Sequence, residues 1–374
     1  MPTYITFTTP PAPPAQTDKF DYEFGSNPLV TTNPPQVGDS WVNTATGEIF
    51  ICIDATTDDN VWKGTQGNTI RGWVIYGAIS AVIAGGEISN GVGTTTVQQY
   101  TFSSKTNNTS INSLSSATVQ SWCAKNSTEG FFGNIGAGDA QVASTVQKFN
   151  LVNPELPYTN ATALTNGFNA CAGLLNETHL YACGGFVNGV DGNSSNIAKW
   201  STAGNAVESI IPATLTTTPG ITYASSGTST ETDGYINCGN TTVMNKFQFS
   251  NETISLLTAV VPENLYNMAA TTQGAQSETH GYLWAGLNST SCYKHSFTSD
   301  DMSAQLFNNG NYGRSHCALN GTVSGIKIGG GGPNGGGDPN RHNQIHEMIY
   351  ASDTTAIDVA DLSNTMNAAA VVSI

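Results

Sequence analysis

The chain has 374 residues, of which 40 are glycine and 10% are charged, and its formal net charge is −15. The excess of carboxylates opposes binding to a phosphate backbone, so we expect neither nucleic acid nor an anionic membrane as a partner. No apolar run approaches the roughly 18 residues of a membrane span, which excludes membrane insertion by a helix, and the glycine-rich composition is typical of all-β proteins.

The chain begins with a segment, residues 1–38, that is predicted to be an extended arm. Eight of the 15 prolines lie within the first 35 residues, and proline opposes helix formation because it lacks an amide donor. The segment lacks the basic start and apolar run of a signal peptide. It is either a disordered tail or an arm that becomes ordered on a partner or on its own propeller. Its aromatic residues favour the second interpretation and are the predicted attachment residues: Tyr4, Phe7, Phe20, Tyr22 and Phe24.

Residues 39–66 are predicted to form a small β module. Ser40–Asn43 and Glu48–Asp54 have the pattern of two strands joined by a turn, and Val61–Lys63 is a candidate third strand. The aromatic residues of these strands are the predicted core: Trp41, Phe50 and Trp62.

A pattern of roughly 50 residues then occurs six times, from about Ala81 to the last residue. Each copy has an apolar strand that ends in glycine, a polar loop, and a strand with a large side chain, which in five of the six copies stands beside Lys or Gln. The aligned glycines are spaced by 51, 48, 55, 47 and 43 residues, which is the period of propeller blades. These glycines are Gly85, Gly136, Gly184, Gly239, Gly286 and Gly329.

Two further columns repeat in register with the glycines. One column holds large side chains, namely Tyr100, Phe149, Trp200, Phe247, His295 and Met348. The other holds small ones, namely Cys123, Cys171, Ala224, Ala269, Cys317 and Ala369. Small side chains suit the innermost strand of a propeller blade, where space is least.

The order of the columns predicts how the repeats join. The first glycine strand, Ile79–Gly86, has no small-residue strand before it, and the last small-residue strand, Asn367–Ile374, has no glycine strand after it. We therefore expect a six-bladed β-propeller over residues 72–374 that is closed by its C-terminal strand. Closure removes the open sheet edges that would promote aggregation.

These repeats resemble kelch-like repeats over about Gly72 to Ile374. Tyr181 before Gly184 and Gly185 matches the kelch tyrosine and double glycine. The resemblance implies a propeller, a fold that has many functions and so does not supply one. The kelch tryptophan is absent after the large-residue strand, which disfavours a cellular kelch-type adaptor.

The β module carries a second resemblance. Its sequence, GDSWVNTATGEIFICIDATTDDNVWKG, is similar to a short module of tailed-phage virion proteins in which a larger domain follows. The resemblance implies a virion protein, either a tail fibre, an appendage or a capsid decoration protein. Its implied partners are other virion proteins through the arm, further copies of the chain in a homo-oligomer, and a host surface glycan or receptor.

Candidate ligand-binding residues lie in the longest loops between repeated strands, which include Gly86–Val97, Gly185–Ile197 and Gly329–Ile345. Uneven loops on a regular scaffold are where recognition usually occurs. Asn and Asp at loop tips suit sugar hydroxyls as well as bare turns, so a free sugar-binding or glycan-processing propeller is the alternative function. The candidates are Asn188, Asp191, Asn193, Asn334, Asp338, Arg341 and His342.

No catalytic residue, metal site or cofactor is predicted, because no GxSxG, HExxH or DxDxDG string occurs. His342 and His346 lead into a predicted strand, where residues four apart are too distant to share an ion. The repeated acidic turns at Glu177, Glu231 and Glu278 are interpreted as turn chemistry and not as a cation-binding ring. The cysteines of the repeat columns are interpreted as buried thiols. The sequence therefore predicts a non-enzymatic protein.

Overall fold

The computed structural model consists of β-strands, with no helix among the residues that it describes, so the predicted all-β class is confirmed there. The chain divides into two compact units, Met1–Val74 and Ile75–Ile374. The described part contains no helix that is long and apolar enough to cross a membrane. The described residues are 21–25, 27–28, 32–56, 60–65, 69–70, 79–89, 92–119, 121–125, 128–133, 135, 144–161, 163, 168–169, 171–176, 179–184, 186–187, 195–201, 209–215, 226–230, 232–237, 242–257, 275–277, 279–284, 291–303, 306–308, 317–321, 324–329, 343–353, 357–363 and 370–374.

The N-terminal unit contains one five-stranded sheet. Its strands, in sheet order, are β1 (Tyr22–Phe24), β2 (Ser40–Asn43), β3 (Glu48–Asp54), β4 (Val61–Gly64) and β5 (Thr69–Ile70). Because successive side chains of a strand point to opposite faces, one face buries Trp41, Phe50, Cys52 and Trp62. The predicted aromatic core of the module is confirmed.

The first strand of this sheet belongs to the segment predicted as an extended arm. β1 pairs in parallel with β2, and Tyr22 lies opposite Trp41. The Tyr22 ring centroid is 5.7 Å from that of Trp41, and the Phe24 ring stacks on Trp41 at 4.5 Å. Both rings find apolar contacts within their own module. The sheet therefore begins before the predicted boundary at residue 39 and continues beyond residue 66.

The C-terminal unit has six sheets of four or five strands among its described residues, and a separate two-stranded ribbon. The first sheet contains β6 (Ser80–Ala84), β7 (Glu87–Ser89), β8 (Val92–Thr101), β9 (Thr106–Thr118) and β32 (Ala370–Ser373). The second contains β10 (Cys123–Lys125), β11 (Glu129–Gly133), β12 (Val146–Asn150) and β13 (Thr159–Asn160). The ribbon pairs β14 (Phe168–Asn169) with β17 (Phe186–Val187). The third sheet contains β15 (Ala172–Leu175), β16 (His179–Cys183), β18 (Asn196–Ser201) and β19 (Ser209–Thr214).

The remaining three sheets each take four strands in chain order. The fourth contains β20 (Ser226–Ser229), β21 (Asp233–Asn237), β22 (Met244–Gln248) and β23 (Thr253–Leu256). The fifth contains β24 (Ala275–Gln276), β25 (His280–Trp284), β26 (Ser291–Ser296) and β27 (Phe307–Asn308). The sixth contains β28 (Cys317–Asn320), β29 (Ser324–Ile328), β30 (Gln344–Ile349) and β31 (Ile357–Asp361).

The register of the two middle strands is the same in all six sheets. The predicted column of large side chains is confirmed, because each member lies opposite the second residue of the preceding strand. In the second sheet glycine at that position leaves room for the large neighbour, because a Cβ added to Gly130 would lie 2.3 Å from the Phe149 ring. The pairs are Ala81 with Tyr100, Gly130 with Phe149, Leu180 with Trp200, Gly234 with Phe247, Gly281 with His295, and Gly325 with Met348.

The predicted glycine column is correct in three sheets and displaced in the other three. Gly85, Gly184 and Gly329 directly follow the second strand with φ of 66°, 69° and 60°, a conformation that favours glycine. In the second, fourth and fifth sheets the second strand is equally long, but Gly136, Gly239 and Gly286 come one or two residues later in the sequence and lie outside the described residues. Ala224, Ala269 and Ala369 of the small-residue column also lie outside them.

The last strand of the chain pairs with the first strand of the repeat, as predicted. β32 is antiparallel to β6, with Ala370 opposite Ala84 and Ser373 opposite Ala81. One predicted loop is instead a hairpin, because within Gly86–Val97 the strand β7 folds back onto β8. The threonine-rich sequence after this point favours an extended backbone.

Apolar clusters fill the space between successive sheets, and one cluster joins the sixth sheet to the first. The clusters consist mainly of side chains from the two middle strands of each sheet. One pair from each cluster, in sheet order, is Val82 with Phe132, Phe131 with Trp200, Tyr181 with Phe247, Tyr235 with Leu283, Tyr282 with Met348, and Ile326 with Tyr100.

The cysteines that the structure describes are buried thiols, as predicted. Burial raises the pKa of Cys171 to about 12, so this thiol is protonated at neutral pH. Cys238 and the side chain of Cys317 lie outside the described residues. The buried thiols are those of Cys52, Cys123, Cys171, Cys183 and Cys292.

Candidate functional site

The predicted ligand-binding residues all lie outside the described part of the chain. They belong to two segments, 188–194 and 330–342. Of the predicted attachment residues, the three nearest the N-terminus also lie outside it. The residues concerned are Asn188, Asp191, Asn193, Asn334, Asp338, Arg341 and His342, together with Tyr4, Phe7 and Phe20.

The described residues instead bring together a set of charged side chains between neighbouring sheets. Lysine directly precedes the large side chain of the third strand in the second to fifth sheets. In three cases its ammonium reaches a carboxylate in the turn before the last strand of the next sheet. The pairs are Lys199 with Glu252 at 2.6 Å, Lys246 with Asp300 at 3.1 Å, and Lys294 with Asp353 at 2.9 Å.

The three turn carboxylates share one backbone conformation. Glu252, Asp300 and Asp353 have φ of 55°, 57° and 47°, in the left-handed region. Each is the fifth residue after the large side chain of its own sheet. The turn therefore presents an acidic side chain to the lysine of the preceding sheet, about 50 residues earlier in the chain.

At the contact between the sixth and first sheets the two charges are exchanged. Glu347 occupies the lysine position of the sixth sheet, and Lys105, with φ of 54°, occupies the acidic turn position of the first. Their charged atoms are 2.7 Å apart, and the Glu347 side chain is only 5% exposed. The Ser324 hydroxyl also donates a hydrogen bond of 2.7 Å to Glu347. We call this contact the reversed pair.

A polar groove of about 650 Å³ lies between the fourth and fifth sheets around Lys246. The lysine ammonium is 3.1 Å from Asp300 and 3.9 Å from Asp233, and it lies 5.3 Å from the centroid of the Tyr235 ring. We call this the fourth-sheet groove. Its lining residues are Asp233, Lys246, Gln248, Thr253, Ser255, Leu256, Leu257, Ser299 and Asp300.

The groove keeps its lysine charged. Burial acts to lower the pKa of Lys246, but hydrogen bonds to Asp300 and Tyr235 and the nearby Asp233 outweigh it, so the pKa is raised. Burial raises the pKa of Tyr235 to about 12, so its hydroxyl stays neutral. One ammonium thus faces two carboxylates beside an amide and several hydroxyls, a set that can hydrogen-bond a ligand rich in hydroxyl groups.

Asp233 lies two residues after Glu231, in one of the repeated acidic turns of the sequence. His179 and His280 hold the same position in the third and fifth sheets, as the first residue of the second strand. Burial lowers the pKa of both histidines, and the nearby lysines lower it further. The glutamates of these turns, Glu177, Glu231 and Glu278, lie outside the described residues.

The lysines of these contacts are part of the repeated sequence pattern, whereas their acidic partners are not. The partner lies in the next repeat, so no local pattern contains both residues. The signal that could have located it is the constant offset of five residues from the large side chain to Lys105, Glu252, Asp300 or Asp353.

Within the described residues, no group of three or more His, Cys, Asp or Glu side chains is arranged to bind a metal ion. His346 lies in β30 with its Nε2 at 3.3 Å from the Gln344 side-chain oxygen. Its neighbour in the predicted motif, His342, lies outside the described part. The expectation that these two histidines do not form a metal site therefore remains a prediction.

Comparison with known proteins provides information on the fold. No protein-family model matches the chain, and no curated protein matches it. Among solved structures 620 chains match, so the fold is widespread and does not by itself select a function. One of them, titled "Structure of YjhT", has a TM-score of 0.53 and 12% sequence identity, and the match covers 67% of this chain and 86% of that chain. At this identity the likeness shows a shared propeller-like β fold and nothing about activity.

Proposed function

We propose that the six sheets are the blades of a closed six-bladed propeller, with β32 completing the first blade. Six inter-sheet clusters support this, since the last of them joins the sixth sheet to the first. Hydrogen bonds between the end strands of neighbouring sheets, β10 with β32 and β24 with β20, also support it. The Cys123 thiol donates to the Val371 carbonyl at 2.8 Å, and the Gln276 amide donates to the Ser229 carbonyl at 2.7 Å.

We propose that the chain is a non-enzymatic virion protein, a tail fibre, appendage or capsid decoration protein that attaches through its N-terminal unit and displays the propeller. The resemblance of residues 38–64 to a phage virion module supports the biological setting. The observation that carries the proposal is an apolar surface on that module. Ile49, Ile51 and Ile53 alternate along β3 with the buried Phe50 and Cys52.

These isoleucines form what we call the isoleucine face. Ile51 is 37% exposed and Ile53 is 52% exposed, although both lie in the middle strand of the sheet. Neighbouring exposed apolar side chains on a small domain mark a surface that another protein can cover. The proposed attachment surface therefore includes this face as well as the proline-rich segment before it.

The test is incorporation into particles. We expect Ile51→Ser/Ile53→Ser to abolish incorporation while the melting temperature of the purified protein stays near that of wild type, since both side chains are exposed. Val152→Ser is the matched control, because Val152 is 82% exposed in the C-terminal unit. Equal incorporation of both variants would show that the face is not the anchor. Absence of the wild-type chain from purified particles would refute the virion function.

A saccharide-binding protein outside a virus is the second candidate, and the fourth-sheet groove favours it. Carboxylates, an amide and hydroxyls converge there beside the exposed Leu256. A glycan array followed by calorimetry tests this function. We expect Asp300→Asn to weaken binding at least about tenfold through loss of charged hydrogen bonds. Asp353→Asn, the equivalent position of the sixth sheet, should leave affinity unchanged, and no glycan binding by the wild type would eliminate the candidate.

A further inference from the structure

The reversed pair occupies the same structural positions as the internal ion pairs but has the opposite polarity. Lys105 and Asp353 occupy equivalent turns with φ of 54° and 47°, and Glu347 and Lys294 occupy equivalent positions of the third strand. Asp is enriched in the left-handed region, whereas Lys is not. The first sheet thus places Lys105 in a left-handed turn for which lysine has no preference. The effect of this choice is a positive charge where the equivalent turns carry a carboxylate.

The burial of Glu347 makes the exchanged charge matter. A carboxylate that is 5% exposed must be compensated by a cation, and Lys105 supplies it. Any sheet that packs against the sixth sheet must therefore bring a positive turn. The described turns of the fourth, fifth and sixth sheets bring Glu252, Asp300 and Asp353, which would place carboxylate against carboxylate.

Charge repulsion also opposes packing of the first sheet against an internal sheet. If the first sheet packed against an internal one, Lys105 would face Lys199, Lys246 or Lys294. Like charges in contact at a closed interface suppress wrong partners, so repulsion works here as a specificity element. Sheets built from similar repeats need such an element because their apolar faces resemble one another.

We propose that the reversed pair specifies the order of ring closure: the sixth sheet accepts the first sheet and rejects the internal ones. The proposal rests on the proposed closed propeller and is independent of the virion function. Lys105 from the first sheet of a second copy of the chain could pair with Glu347 equally well. The pair therefore specifies which sheet packs against the sixth, but not whether that sheet belongs to the same chain.

The experiment refolds the full chain from denaturant and measures the melting temperature and the yield of monomer. Glu347→Lys opposes two lysines, and we expect a loss of about 5 °C in melting temperature. The exchange Lys105→Asp/Glu347→Lys restores an ion pair but gives it the polarity of the internal contacts. We expect it to recover most of the melting temperature while monomer yield stays at least roughly twofold below wild type.

A matched control removes an internal pair without changing any polarity. Lys199→Gln/Glu252→Gln should lower the melting temperature slightly and leave the monomer yield at the wild-type value. A wild-type yield for the exchanged variant would overturn the proposal. The proposal would also be overturned if the exchanged variant kept the lowered melting temperature of Glu347→Lys. The positions of Lys105 and Glu347 would then not be equivalent to those of the internal ion pairs. An unchanged melting temperature in Glu347→Lys would show instead that the sixth and first sheets do not meet, which refutes closure itself.

Discussion

His295 takes the position at which the other sheets place Tyr, Phe, Trp or Met. Its side chain is 1% exposed, and neither ring nitrogen has a hydrogen-bond partner among the described residues. The ring lies 4.7 Å from the centroid of Tyr235, so it packs as an aromatic side chain would. Burial lowers the pKa of His295 to about 4, which keeps the imidazole neutral at pH 7.

This histidine should make the fold sensitive to mild acid. The unfolded chain binds the proton near pH 6.5 and the folded chain only near 4, so stability is complete above pH 6.5 and falls as pH decreases towards 4. We expect a loss of about 2 kcal/mol by pH 5. Denaturant unfolding at pH 7 and pH 5 measures it. His295→Phe should remove most of this difference, and an unchanged difference in that variant would contradict the assignment.

At the scale of the strand, predictability follows burial. The large-residue column was predicted correctly because each member is a large side chain that packs between sheets, such as Phe247. The inner strands were predicted less well, because Ser226–Ser229 and Ala275–Gln276 lack an apolar alternation. The glycine column was displaced in the three sheets whose second strand is followed directly by Asn134, Cys238 or Ala285 instead of glycine. The acidic partners of the lysines were missed because they lie in the next repeat.

In five of the six sheets the second strand places Gly or Ala opposite the large side chain. A Cβ at Gly130 would lie 2.3 Å from the Phe149 ring, which is closely packed with Phe132 at 5.1 Å. We expect Gly130→Ala to destabilise the protein by about 2 kcal/mol through overpacking, as measured by denaturant unfolding. At the equivalent Gly281 the nearest atom is the Thr228 hydroxyl at 2.9 Å, so Gly281→Ala should cost less. The reverse ranking would contradict the packing argument.

At the scale of the whole molecule, the chain's last strand contributes to two inter-sheet clusters. Val371 belongs to the cluster between the sixth and first sheets, and Val372 belongs to the cluster between the first and second. Both side chains are at most 1% exposed. The C-terminal residue also exchanges backbone hydrogen bonds with Ser80 at 2.9 and 3.0 Å. This short strand therefore connects the N-terminal and C-terminal ends of the repeat.

Deletion of residues 367–374 should consequently affect the entire C-terminal unit. It removes the partner of β6, exposes an open sheet edge and takes a buried valine from each of two clusters, so we expect a far lower melting temperature and aggregation during gel filtration. A chain that starts at Gly72 is the matched control, because it removes the N-terminal sheet and leaves all six clusters intact. It should stay soluble and melt as one cooperative unit. Equal melting temperatures for the C-terminal deletion and the full chain would refute the pairing of β32 with β6, and with it the proposed closed propeller.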